Sequence, residues 1–167
     1  MSCYRAAKRS GRLLVIDPCQ AYVLRQLAPL SGSIPQFSWE GVRVSFPPHQ
    51  VERLKAAGMM DLAREMGRAR VSSNDLAAAP GTYLLCARGS FGTTKMLTHI
   101  GAGNVALVWS MWGGYWQRER CAMRTWAERE GVQAHFIHSG GHAWPEDLKR
   151  LEIALHPRAL EIVHTAR

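Results

Sequence analysis

The sequence has little that would take it out of water. Its longest apolar runs are as short as Tyr83–Ala87 and Val105–Trp109. A membrane-crossing helix needs roughly 18 such residues, so no membrane partner is expected. Met1-Ser2-Cys3-Tyr4-Arg5 lacks the apolar core and small-residue cleavage site of a secretory leader, which predicts a cytoplasmic protein. Cysteine is sparse: Cys3, Cys19, Cys86 and Cys121 form no C-x-x-C and no zinc-ribbon spacing. In that compartment they are expected as buried thiols and not as disulfides. There is no internal repeat, no low-complexity tract, and no G-x-S-x-G to serve as a nucleophile elbow. Acidic residues are outnumbered, 13 Asp and Glu against 21 Lys and Arg, for a formal net charge of +8. That balance permits a polyanionic partner and says nothing of fold.

What is present is a chain of 167 residues, 47 % hydrophobic with six Trp, enough to bury a core and too apolar for intrinsic disorder. Strand-like runs at Leu13–Ile16, Val42–Phe46, Thr82–Ala87, Val105–Trp109 and Gln133–His138 alternate with helical patterns. Val105–Trp109 reads as a strand buried on both faces. Helices are expected over Ala21–Leu30, over Val51–Met66 with a break possible at Gly58, over Trp116–Glu130 ending at Gly131, and over Pro145–Leu155. Ala6–Ser10 predicts the last turn of a further helix stopped at Gly11, and Ala159–Val163 predicts a last strand. Ser31–Gly41 and Arg68–Pro80 are rich in Ser, Pro, Gly and Ala and are expected as loops or sub-domain boundaries. The strand–helix–strand–helix–strand order over Val105–His164 implies parallel strands joined by crossovers. The fold class expected is α/β, a mostly parallel sheet with flanking helices.

The densest chemical signal is Phe136-Ile137-His138-Ser139-Gly140-Gly141-His142-Ala143. An apolar strand runs into a small-residue turn with two histidines, and a helix follows near Pro145. Two glycines let the backbone approach a ligand, and the N–H groups of such a turn favour an anion. A histidine there can donate a proton to a leaving oxygen or bind a metal; the plain alternative is a tight turn with two surface histidines. His164 closes the last expected strand, 22 residues after His142. One helix and one strand fit that interval, which puts both histidines on one edge of the sheet. Weaker signals are Gly89-Ser90-Phe91-Gly92-Thr93-Thr94-Lys95, which is expected to open a helix and not to cradle phosphate. Trp109, Trp112, Tyr115 and Trp116 either pack as core or stack on bases. Arg118, Arg120, Arg124 and Arg129 are expected on one helix among glutamates, as a solvated face.

Together these residues resemble the β-CASP nucleases of the metallo-β-lactamase fold. The carriers are His138-Ser139-Gly140-Gly141-His142-Ala143, Asp147-Leu148, Pro157 and Val163-His164-Thr165, which are similar to that family's H-x-S-G-H-A, helix and P-x-H-[GT] series. Upstream, Ser10-Gly11-Arg12-Leu13-Leu14-Val15-Ile16-Asp17, with Ala21 and Leu24, and Val108–Tyr115 resemble two further stretches of it. The resemblance implies a partial β-CASP-like α/β region over residues 1–110 and a carboxyl-terminal metallo-β-lactamase-like segment over 111–167. It implies a zinc-dependent phosphodiester hydrolase acting on nucleic acid, RNA before DNA. In that reading His142 contacts the scissile phosphate and protonates the leaving group, and His164 is a zinc ligand. Ser139, Gly140 and Gly141 bind phosphate, and His138 supports the loop. The family's H-x-H-x-D-H is absent, and His49, His99, His135 and His156 are too scattered to replace it. The chain therefore reads as the second half of such an enzyme, and a second chain supplying the missing zinc ligands is the further partner implied. The alternative is a non-catalytic α/β module that binds nucleic acid or protein.

Overall fold

A computed structural model describes residues 2–138 and 145–159. The first part of the chain forms Ser2–Arg9 (α1), Leu13–Ile16 (β1), Pro18–Leu27 (α2), Val42–Ser45 (β2), Pro48–Ala56 (α3), Met60–Gly67 (α4), Arg70–Val71 (β3) and Ser73–Ala78 (α5). Then come Tyr83–Leu85 (β4), Phe91–Ile100 (α6), Leu107–Trp109 (β5), Gly113–Trp116 (α7), Ala122–Glu130 (α8), Ala134–Phe136 (β6) and Pro145–Leu155 (α9).

Strand β1 is the most apolar and sits inside a parallel sheet of order β3-β2-β1-β4. Leu14, Val15 and Ile16 are at most 3 % exposed, as a strand covered on both faces requires. Leu14 and Ile16 face one core with Ala7 of α1, Ala21 of α2, Val42, Val44 and Met66 of α4. Val15 faces the other, with Val71 and Leu76 of α5, against which Met96 and Ile100 of α6 pack. Helices therefore cover both faces, and the fold is α/β. The remaining pair, β5 and β6, is also parallel, with Leu107 opposite Ala134 and Trp109 opposite Phe136. It shares a third core of Leu97, Trp109, Cys121, Met123, Trp126 and Ala127.

The break possible at Gly58 is present: Val51–Met66 is two helices, because Gly58 takes φ +67° and the Met59 N–H turns back to the Leu54 carbonyl at 2.9 Å, a glycine-dependent helix end. Three expectations are corrected. Arg68–Pro80 is not a loop: it holds β3 and α5, whose start is fixed by a reciprocal Ser72–Asp75 capping box. Trp116–Glu130 breaks into α7 and α8 with a turn over residues 117–121, so Arg118 and Arg120 lie off the helix. That turn brings Trp116 edge-on to Trp109 at 5.0 Å and to Phe136 at 5.3 Å while Cys121 stays buried. Finally, β5 alternates and is not buried on both faces, with Val108 52 % exposed beside Trp109 at 7 %. Gly131 ends α8 as expected, at φ +68°. The expected last strand lies, past Ala159, outside the described residues.

Candidate functional site

Two places at the carboxyl ends of parallel strands gather polar chemistry. The first follows β5 and β6. Their parallel pairing brings the segments after Trp109 and after Phe136 to one edge, where the Ile137 N–H donates to the Trp109 carbonyl at 3.0 Å. His138 Nδ1 then donates to the Ser110 carbonyl at 2.9 Å, tying the two segments together. Beside them Trp112 is 58 % exposed and Tyr115 39 %, so of the four aromatic residues here only Trp109 is fully core. The Arg118 guanidinium lies over the Tyr115 ring, 4.4 Å from its centre. Ser139, Gly140, Gly141, His142 and His164 lie outside the described residues. Arg124 and Arg129 do pair with glutamates, Glu128 at 3.7 Å and Glu130 at 2.8 Å.

The second place was not singled out by the sequence. The chain winds from β1 out to β3, then returns to place β4 on the other side of β1. Such a reversal opens a crevice outside the strand ends, where ligands of doubly wound sheets bind. Asp17 follows β1 directly and caps α2: its Oδ1 accepts from the Gln20 N–H at 2.7 Å, and the Gln20 side chain accepts from the Asp17 N–H at 2.9 Å. Its Oδ2 accepts from Gln50 Nε2 at 2.8 Å, and Gln50 Oε1 accepts from the Cys19 N–H at 3.2 Å. Asp17 and Gln50 are 7 % and 8 % exposed, so this network is a closed, buried floor. Arg88, just past β4, reaches over it, with Nε 3.7 Å from Asp17 Oδ2 and Nη2 donating to Cys19 Sγ at 3.0 Å. A cavity of about 210 Å³ opens here between α2, α3 and Arg88.

All four cysteines are free thiols, but only Cys121 is buried; Cys3 and Cys19 are exposed and Cys86 is half-buried. Compartment alone predicts buried thiols; three of them instead sit at helix starts and strand ends, which a sheet leaves at its rim. Cys3 and Cys86 interact. A hydrogen bond from the Cys86 thiol draws the Cys3 thiol down from 9.0 to about 6, while the same bond and burial push Cys86 up.

Among the described residues no group of three His, Cys, Asp or Glu side chains could hold a metal ion. None of their helices is long and apolar enough to cross a membrane. No protein-family model, curated protein or solved structure matches the chain.

Proposed function

We propose that this chain is the phosphate-handling part of a metal-dependent phosphodiester hydrolase of the β-CASP, metallo-β-lactamase-fold type, acting on nucleic acid. What supports the reading is that Val108–Tyr115 and the motif that opens at His138, two segments resembling that family, follow adjacent parallel strands, and His138 itself bonds to the Ser110 carbonyl at that edge. Turns at that edge are where α/β folds bind ligands. In this reading His142 gives a proton to the leaving oxygen, and Ser139 with the N–H groups of Gly140 and Gly141 holds the phosphate. The described residues do not make a zinc site by themselves. His164 is one ligand of the several a catalytic zinc requires, so the remaining ligands belong to another chain segment and no step is routed through the metal.

A second reading, a nucleic-acid-binding module without catalysis, is favoured by the exposed Trp112 and Tyr115 beside Arg118. Zinc content of the purified chain, read with its activity on a labelled oligonucleotide, separates the two. Stoichiometric zinc at neutral pH that is lost in His164→Ala supports the hydrolase. No zinc and no phosphodiesterase activity sinks catalysis by this chain, and salt-dependent RNA binding that persists without metal selects the module.

A further inference from the structure

The crevice at the carboxyl ends of β1, β2 and β4 is lined by Tyr22 of α2, by His49, Arg53 and Leu54 of α3 with Met59 just past it, and by Arg88. Its electrostatics favour an anion. The one carboxylate beneath it, Asp17, has both oxygens bonded and is buried, and it serves to aim Arg88. Arg53 forms no ion pair among the described residues and stands exposed on α3. The N–H groups of Cys19 and Gln20 are already taken, by Gln50 and Asp17, so charge recognition falls to the side chains and not to the start of α2. Two guanidinium groups at one mouth match the oxygen geometry of a phosphate better than that of a single carboxylate. The lining also includes Leu54, Met59 and a tyrosine ring 38 % exposed, a surface for a flat ring system. At about 210 Å³ the cavity is smaller than the roughly 300 Å³ at which ligand pockets begin, so a ligand held here lies partly at its open mouth.

We propose that this crevice binds a nucleoside monophosphate, its phosphate between Arg53 and Arg88 and its base against Tyr22, Leu54 and Met59. The site uses none of the residues assigned to phosphodiester chemistry after β6, so either proposal can fail without the other. Titration calorimetry on the intact chain with AMP, adenosine and inorganic phosphate tests it. The expected result is one AMP per chain, with adenosine and phosphate each at least tenfold weaker. Arg53→Ala and Arg88→Ala should each weaken AMP at least tenfold, whereas Arg124→Ala, on α8, leaves it unchanged. The Arg53 side chain is exposed and makes no hydrogen bond or ion pair among the described residues, so that variant keeps the test sound if Arg88→Ala unfolds. Undetectable AMP binding at millimolar concentration, equal affinity in Arg53→Ala, or phosphate or adenosine binding as tightly as AMP overturns the proposal.

Discussion

Replacing Asp17 by alanine should cost this protein more than any other single change at the rim of its main sheet. Asp17 does two separable things. It caps α2 by accepting from the Gln20 N–H at 2.7 Å, and it satisfies the buried Gln50 amide at 2.8 Å. Loss of an N-cap costs about 1 kcal/mol. A buried amide left without its acceptor costs about 2 kcal/mol more. The sum, about 3 kcal/mol, corresponds in urea to a midpoint lower by about 1.5 M at a slope of about 2 kcal/mol/M. Equilibrium unfolding followed by tryptophan fluorescence reads this directly, because Trp126 is 1 % exposed and its environment changes on unfolding. Asp17→Asn should fall between the two proteins: asparagine caps as well as aspartate, but its amide meets that of Gln50 donor to donor. The double variant Asp17→Ala, Gln50→Leu should lose less than the sum of its parts by about 1 kcal/mol, since neither polar partner is then left stranded. A midpoint for Asp17→Ala within about 0.3 M of the parent would refute the buried network as a source of stability.

Other outcomes follow from single contacts. Cys3, drawn down to about 6 by the Cys86 thiol, should be alkylated by iodoacetamide with a midpoint near that pH. In Cys86→Ala the midpoint should return toward the ordinary thiol range, and a wild-type midpoint already there would contradict the contact. A depressed acid favours the folded state above the range of the unfolded thiol, and that contribution is lost as pH falls through about 6. Gly131→Ala should lower stability by about 1 kcal/mol while Gly131→Asn costs less. An added Cβ at Gly131 meets nothing within 4 Å, so the cost lies in the left-handed φ of +68° and not in a clash; equal stability of the three proteins in thermal unfolding would deny this.

The parts of the fold visible in the sequence are those where one residue type has one use. Leu13–Ile16 is apolar throughout because the strand is covered on both faces, and Val42 and Val44 alternate with Arg43 and Ser45 because β2 is covered more on one. Gly131 and Pro145 marked a helix end and a helix start. The misreadings come from tertiary context. Ser72 and Asp75 carried a capping signal inside a stretch whose Ala, Ser and Pro content argued for a loop. The candidate sites divide in the same way. His138 stood out because it lies between an apolar strand and two glycines. Asp17, Gln50 and Arg88 did not, since they are 33 and 38 or more residues apart in sequence and meet only when β4 returns to the far side of β1. The cue that was available is Asp17 itself, an acid placed between a buried strand and Pro18 at a helix start.

Whether the residues that follow β6 handle the phosphates of a nucleic acid is read by fluorescence anisotropy of a labelled RNA oligonucleotide over a range of salt concentrations. Binding is expected whose logarithm falls linearly with the logarithm of salt, weakened at least tenfold in His142→Ala and in Ser139→Ala at each salt. RNA affinity that is undetectable at low salt, or that is the same in His142→Ala as in the parent, would contradict it.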